Sequence, residues 1–454
     1  MVLPANSTSF SMSRRQYLST MGRATAALAA APLLGRGADA ARPPNVILIL
    51  SDDQGSTDLG CYGAHDLQTP VLDRLAEEGL RFTRFYVNAP ACSPSRAALL
   101  TGRHFVRSLS GGSLRPDEIT IAEMLQGAGY RTACFGKWHL GHEDSMEPVA
   151  QGFDEFLGFK VGAMDNYSHF FYYGGPNRHV LRRNREPYRE DGVYFPDMVT
   201  REAKRFIRDS GDAPFFLYLP LNQPHYPMQP EPAYLDQYQH VDDVSRRYQA
   251  ASITSMDEQI GQVLQQLEDQ GQRENTIVMF LSDHGHSSEE RAFGGGGRSA
   301  PFTGHKGTLR EGGLRVPFII SAPGRIPAGQ IRQHAATSLD LLPTIANMTG
   351  VQLPDRELDG TDLAAILASE SAPSPHAQLN WVYGNSWVIS EVHWKILGDA
   401  KGDSLALYDL NKDPAEQYNV AAENREITSY LIGRHNEWIR KVMQDANANG
   451  YNDG

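Results

Sequence analysis

The apolar positions of this chain fall into short uninterrupted runs, and each run stops at polar residues capable of chemistry. Asn45-Val46-Ile47-Leu48-Ile49-Leu50 is continuous after its first residue, the pattern of a strand buried on both faces of a parallel sheet. It ends in Ser51-Asp52-Asp53. Thr276-Ile277-Val278-Met279-Phe280-Leu281 repeats the pattern and ends in Ser282-Asp283-His284-Gly285. Phe215 to Leu219 runs out into Asn222-Gln223-Pro224-His225-Tyr226-Pro227, and Arg131 to Phe135 into Gly136-Lys137-Trp138-His139-Leu140-Gly141. An aromatic strand from Leu80 to Val87 leads to a loop holding Cys92, and Val316 to Ser321 is one more core strand.

Helical periodicity lies between these runs. Thr69-Pro70 opens a helix with Leu72, Leu75 and Ala76 on one side, closed by Gly79. Thr120-Ile121-Ala122-Glu123 is a capping box whose helix closes at Gly129. Ile253, Met256, Ile260, Val263, Leu264 and Leu267 mark a third helix, closed by Gly271. The alternation predicts an α/β fold: a large, mixed, mostly parallel sheet flanked by helices. After about residue 375 the pattern shifts to short Trp- and Tyr-rich strands around Trp387, Trp394 and Leu407-Tyr408-Asp409-Leu410. A helix from Asn424, its expected N-cap, to Met443 follows. Residues 41–375 are thus expected to form the main domain, and 376–454 a small antiparallel sheet with one helix.

The first 40 residues differ from the rest. Ser13-Arg14-Arg15-Gln16-Tyr17-Leu18, an Ala-rich run to Leu34 and the small-residue site Ala38-Asp39-Ala40 form the pattern of a bacterial twin-arginine signal peptide. The expected partner there is the twin-arginine translocase, and the expected location is periplasmic or secreted. The run is short and broken by Arg23, so no permanent membrane anchor is expected. The 454-residue chain carries net charge −12; loss of residues 1–40 removes four Arg and one Asp and leaves −15. An acidic surface disfavours nucleic acid, so an anionic substrate needs cations gathered locally. Three cysteines make no disulfide framework, and Cys61 and Cys134 are expected to be buried free thiols.

In open α/β sheets ligands collect at the carboxyl ends of strands, where several of the runs above end in reactive side chains. Asp52, Asp53 and Asp283 would repel one another there unless a cation lay between them. An oxygen-rich set of this kind suits a hard divalent ion, Ca²⁺ before Mn²⁺ or Mg²⁺, with His284 as ligand or orienting neighbour. Arg96, Lys137 and Lys306, with His139 and His225, form the complementary cationic set, able to grip a tetrahedral anion and move protons. Cys92 opens the run Cys92-Ser93-Pro94-Ser95-Arg96-Ala97-Ala98-Leu99-Leu100-Thr101-Gly102-Arg103. Ser93-Pro94 starts a helix and Gly102 stops it, which places Cys92 just ahead of a helix N-terminus, where an anion is favoured. A thiolate is a soft ligand on a hard ion. The mismatch implies that position 92 does not act as a cysteine.

The run Cys92-Ser93-Pro94-Ser95-Arg96 with Leu100-Thr101-Gly102-Arg103 resembles the signature of the type I, formylglycine-dependent sulfatases of the alkaline phosphatase superfamily. Asp52-Asp53, the Gly136–Gly141 run, His225-Tyr226-Pro227, Asp283-His284-Gly285 and His305-Lys306-Gly307 extend the resemblance, as do Leu407-Tyr408-Asp409-Leu410 and Asp413-Pro414. It implies that a formylglycine-generating enzyme oxidises Cys92 to an aldehyde, whose gem-diol is held by Ca²⁺ and Arg96. One hydroxyl attacks sulfur; the second, deprotonated by His139, drives release of sulfate. Lys137 would hold diol and sulfate, while His225 and Lys306 would bind sulfate and protonate the leaving group. Metal ligands would be Asp52, Asp53, Asp283, His284 and the modified Cys92. The expected reaction is release of inorganic sulfate from a sulfated carbohydrate or aryl sulfate. His284 stands where some members carry Asn, and leaves the ion and the ester class open. The alternatives are a phosphonate or phosphodiester hydrolase of the same superfamily and a non-catalytic carbohydrate-binding relative. The long segment from His142 to Pro196, with Asn166-Tyr167-Ser168-His169-Phe170-Phe171-Tyr172-Tyr173 and Arg182-Arg183-Asn184-Arg185, is expected to wall the pocket, its aromatics stacking on sugar and its arginines reading anionic groups.

Overall fold

The computed structural model describes residues 42–448, so the twin-arginine segment lies outside the described residues. The strands of the main sheet are β1 (Asn45–Ser51), β2 (Leu80–Tyr86), β3 (Arg131–Lys137), β4 (Glu155–Phe159), β5 (Arg182–Arg183), β6 (Glu186–Pro187), β7 (Phe215–Pro220), β8 (Thr276–Ser282), β9 (Arg315–Ser321) and β10 (Gln330–Arg332). Their spatial order is β6-β5-β4-β3-β7-β1-β8-β9-β2-β10, with Ala336–Thr337 added beside β2. β4, β3, β7, β1 and β8 are mutually parallel. β9 is antiparallel to both β8 and β2, which restores β2 to the common direction. All the polar strand ends named above therefore meet one edge of the sheet.

The continuous apolar runs are explained by burial on two faces. In β1, Val46, Leu48 and Leu50 enter one core, and Ile47 and Ile49 the other, all fully buried. Each such side chain contributes roughly 1.5–3 kcal/mol, so packing of the sheet fixes where its ends lie. One face is covered by α1 (Pro70–Glu77), α4 (Phe195–Ser210) and α5 (Val244–Asp269). The other holds α2 (Cys92–Thr101), α3 (Ile121–Gly127) and α6 (Leu341–Thr349). The Thr120–Glu123 capping box forms as expected. Thr69 does not cap α1; the Asp257 carboxylate of α5 accepts the N–H groups of Val71 and Leu72 instead.

Beyond residue 375 the antiparallel strands β11 (Gln378–Tyr383), β12 (Ser386–Glu391), β13 (Trp394–Asp399) and β14 (Leu405–Asp409) form a separate four-stranded sheet, followed by α7 (Arg425–Ala448). The fold class expected from the sequence is the one observed. At the start of α7 the Asn424 amide donates back to the Val420 carbonyl. Trp381 and Val388 enter the main core, and buried Lys395 bridges Glu311 and Glu416 at 2.9 Å each. That bridge anchors the chain just after Lys306. No helix among the described residues is long and apolar enough to cross a membrane. Cys134 is buried and free as expected; Cys61 is free but only half-buried.

Candidate active site

The site begins where the central strands stop. Past their ends the backbone ladder continues: Asp52 N–H donates to the Gln223 carbonyl at 2.9 Å, and Asp283 N–H to the Ser51 carbonyl at 3.0 Å. This fixes Asp52, Asp53 and Asp283 side by side, at 0%, 3% and 1% exposure. Asp53 and His139 both take left-handed backbone, φ 62° and 57°, sparsely populated for residues with a side chain and retained only where surroundings enforce it. Gly136 precedes Lys137 at φ 137°, where a Cβ would lie 2.0 Å from the Pro220 carbonyl oxygen, so only glycine delivers the lysine.

Cys92 is the first residue of α2 rather than a residue ahead of it, with Ala91 in the capping position and no side-chain cap. The helix start is instead fastened to the strand ends by its serines: Ser93 Oγ donates to the His139 carbonyl and Ser95 Oγ to the Asp283 carbonyl. Gly102 ends the helix at φ 64°, as expected. One turn on from Cys92, fully buried Arg96 lies 2.9 Å from Asp283 Oδ2 and 3.2 Å from Asp52 Oδ1, and donates to the Lys137 carbonyl. Arg96 therefore neutralises the carboxylates from below. Lys137 Nζ is 2.7 Å from Asp52 Oδ2 and 3.6 Å from Cys92 Sγ. His284 Nε2 lies 3.2 Å from Cys92 Sγ, 3.4 Å from Asp53 Oδ1 and 3.5 Å from Asp283 Oδ1. Its Nδ1 faces the Gly285 carbonyl, which only accepts, so the proton is assigned there and Nε2 turns to the carboxylates.

His225 makes the same arrangement, Nδ1 to the Tyr226 carbonyl at 2.6 Å, leaving Nε2 3.7 Å from Asp53 Oδ2. Lys306 Nζ sits 3.0 Å from both Asp53 and Glu289. The structure thus brings all ten residues singled out in the sequence to one place. Two overlapping donor groups, Asp52, Cys92, Asp283, His284 and Asp52, Asp53, Cys92, His225, each have their ligand atoms within 4.8 Å of one another.

The electrostatics are those of opposite charges buried together. Burial raises the Asp53 carboxyl to about 7 despite Lys306 and His284. Burial by itself disfavours the His284 imidazolium, yet Asp283 and Cys92 overcome it and raise His284 to about 9. Burial raises the Cys92 thiol, and Lys137, Lys306 and His284 more than reverse it, to well below the usual thiol range. Burial pushes His225 down to about 3 and lowers His139. Asp53 Oδ1, wholly buried, lies 3.0 Å from Lys306 Nζ and 3.4 Å from His284 Nε2. Three carboxylates side by side and an imidazole holding a proton it would lose in water are what a hard cation would satisfy. The residues present fit a divalent metal.

Above the cluster a cavity of about 390 Å³ opens, lined by Cys92, His139, His225, Tyr226 and Lys306, and by Phe171, Tyr173, Glu289 and Arg291. Residues 44–351 match the sulfatase family, and residues 305–440 the C-terminal part of N-sulphoglucosamine sulphohydrolase. The chain belongs to the sulfatase family. It is 36% identical to human N-acetylgalactosamine-6-sulfatase over 91% of this chain and 90% of that one. It is 34% identical to human arylsulfatase A over 85% of each. The solved structure of Ps i-CgsB in complex with k-i-k-neocarrahexaose superposes at TM-score 0.78 with 28% identity, covering 87% of this chain and 92% of that one. The protein is a sulfatase enzyme with this family's fold.

The sulfatase's rim departs from expectation. Phe171 and Tyr173 line the cavity, but Arg182 and Arg183 do not. They form β5 at the far side of the sheet, where Arg183 pairs with Glu202 at 2.9 Å and stacks on Tyr188, while Arg182 donates to the Arg185 carbonyl. The rim arginine is Arg291, over the Tyr226 ring at 5.1 Å. It lies in the glycine-rich stretch after His284, and a lone cation in a polar loop carries no sequence signal.

Proposed function

We propose that this sulfatase releases inorganic sulfate from a sulfated carbohydrate, with Cys92 oxidised to formylglycine and Ca²⁺ held by Asp52, Asp53, Asp283 and His284. The observation that carries this is the convergence on Cys92 Sγ of a buried carboxylate cluster and the basic side chains of Lys137, Lys306, His284 and His139. A hydrated formylglycine at position 92 would supply the oxygen nucleophile that a thiol on a hard ion does not. Ca²⁺ would supply Lewis-acid charge neutralisation among the carboxylates.

The chain's own residues then divide the work. Arg96 is fully paired below the carboxylates and holds Asp52 and Asp283 in place. Lys137 Nζ, 3.6 Å from the position-92 side-chain atom, and Lys306 Nζ at the cavity wall bind sulfate oxygens. Burial keeps the His139 imidazole neutral, so beside position 92 it accepts the proton that must leave for sulfate to depart. His225 carries its proton on Nδ1; the negative charge of a bound ester favours a second proton on Nε2, which passes to the leaving alcohol. Phe171, Tyr173 and Tyr226 give ring faces for a sugar, and Arg291, whose Nε and Nη2 engage Glu289 Oε1, keeps Nη1 for a further anionic group. The N-acetylgalactosamine-6-sulfatase relative and the neighbour bound to k-i-k-neocarrahexaose support a carbohydrate over a simple aryl ester.

Residues 1–40 support export by the twin-arginine translocase to the periplasm or beyond, after modification in the cytoplasm, and residues 41–375 and 376–454 serve as catalytic domain and C-terminal subdomain. Mass spectrometry of the tryptic peptide bearing position 92, from a host with the formylglycine-generating enzyme, is expected to show aldehyde. Paired sulfate and phosphodiester substrates are expected to favour sulfate. Full turnover by protein carrying only the Cys92 thiol would overturn the reading.

A further inference from the structure

Outside the catalytic cluster, the segment between residues 165 and 194 folds back on itself and gathers two imidazoles and a carboxylate. His169, His179 and Asp191 each offer one ligand atom within 4.8 Å of the other two. His179 Nε2 lies 3.0 Å from Asp191 Oδ1, and His169 Nδ1 lies 3.8 Å from the same oxygen. Ligands about 2.0–2.1 Å from a tetrahedral zinc are roughly 3.3 Å apart, so these spacings bracket what such an ion requires. The rings stand edge to face with centroids 5.9 Å apart.

The decisive atom is His169 Nδ1. His169 is 0% exposed, and its Nε2 faces the Val193 carbonyl at 3.0 Å, which only accepts, so Nε2 holds the proton. Nδ1 is left as a bare lone pair, buried and without a hydrogen-bond partner. A buried acceptor with nothing to accept from is destabilising unless it has a further role. His169 also holds left-handed backbone at φ 58°, a second cost in the same residue. A carbonyl fixing one ring nitrogen so that the other is presented to a metal is the usual support of a histidine ligand. Burial lowers the His169 pKa, which keeps the imidazole in its ligating, neutral form. A competing cation, Arg189, reaches the other oxygen, Asp191 Oδ2, at 3.7 Å and is itself exposed.

We propose that His169, His179 and Asp191 form a second metal site, selective for a borderline transition ion of the zinc class and separate from the carboxylate cluster. Two nitrogens and one oxygen are a poor set for Ca²⁺ and a good one for Zn²⁺, so the two sites sort ions by hardness. The ion adds to the hydrogen bonds that join three stretches: the left-handed turn at His169, the two-residue ladder pairing Phe170–Phe171 with Arg178–His179, and the loop at Asp191. That ladder carries Phe171 to the cavity, with Tyr173 two residues on. Metal at the second site therefore stiffens one wall of the substrate pocket without touching the reacting atoms.

The test is calorimetric titration of Zn²⁺ into the formylglycine-converted, full-length enzyme in saturating Ca²⁺. Wild type is expected to bind one Zn²⁺ per chain, and His179→Ala and Asp191→Ala each to weaken that binding tenfold or more while Ca²⁺ affinity is unchanged. Asp191 is 53% exposed at its side chain, so its replacement reports on binding even if the His179 variant fails to fold. Co²⁺ in place of Zn²⁺ is expected to give a visible band in wild type that both variants lose. Absence of Zn²⁺ binding in the presence of Ca²⁺, or equal affinity in wild type and Asp191→Ala, overturns the proposal; either result leaves the sulfatase reading untouched.

Discussion

The floor and the rim of the cavity are made of different kinds of chain. On the floor, Asp52, Asp283, His284, Lys137 and Arg96 are at most 1% exposed and follow the ends of fully buried strands or the first turn of a buried helix. Their positions are set by the core, and each charge meets an opposite charge or a helix end. On the rim, Phe171, Tyr173, Tyr226 and Arg291 are held by short turns and by one another, Tyr173 edge-on to Tyr226 at 5.1 Å and Arg291 over the same ring. A rigid floor suits chemistry common to a family, because the reacting group does not change. A rim of adjustable loops suits a choice among substrates, which does.

The difference is sharpest at Cys92. Replacing it with Ala removes the reacting side chain and nothing the core needs, so sulfate release is expected to fall by about 10⁴-fold or more, with thermal stability near wild type. Retained activity in a chromogenic sulfate assay would break the comparison at its centre. Asp53→Ala takes one carboxylate from the cluster, with the contacts of its Oδ1 to Lys306 Nζ at 3.0 Å and His284 Nε2 at 3.4 Å. A loss of about 10²–10³-fold in kcat/KM is expected, with weaker Ca²⁺ binding read by calorimetry and part of the loss recovered at high Ca²⁺. Chelation of wild type is expected to imitate it.

On the rim the effect changes kind as well as size. Tyr173→Ala removes one ring face and is expected to raise KM for a sulfated oligosaccharide about tenfold, with kcat within about twofold and a small aryl sulfate unaffected. Arg291→Ala is expected to give a smaller KM rise, about threefold, on multiply sulfated substrate alone, because its guanidinium is about half exposed and screened by solvent. A drop in kcat from either change would mean that rim and floor are one unit.

What the sequence reveals follows the same division. Asp52, Asp283 and His284 are legible because an unbroken apolar run predicts a strand and its end predicts an address. Cys92, Arg96 and Lys137 are legible because the motif around them resembles a known one. Register and pairing are not written in any single run: that β9 runs against its neighbours, and so turns β2 to deliver Cys92 to the common edge, follows only from assembly. The serines fastening α2 to the strand ends, and Asp257 capping α1 in place of Thr69, are long-range bonds that local pattern does not encode. The rim is the extreme case, since Arg291 and Arg183 both pair with a glutamate and only the assembled fold puts one of them at the cavity.

Arg183 is the one away from the cavity, and the smallest expected effect belongs to it. Its guanidinium lies 2.9 Å and 3.1 Å from the two oxygens of Glu202, a side chain of α4, and packs on Tyr188 at 4.6 Å. These contacts close the outer edge of the sheet, where β5 pairs with β4, away from the cavity. Such a half-exposed bidentate pair, with ring stacking, is worth about 1 kcal/mol. Arg183→Ala is therefore expected to lower the melting temperature slightly and leave kcat and KM on a sulfated oligosaccharide within twofold of wild type. A selective rise in KM on multiply sulfated substrate would place the substrate across the sheet edge and extend the rim far beyond the cavity. The pairing with Glu202 argues against that outcome, because it neutralises the guanidinium's charge and turns both terminal nitrogens to α4.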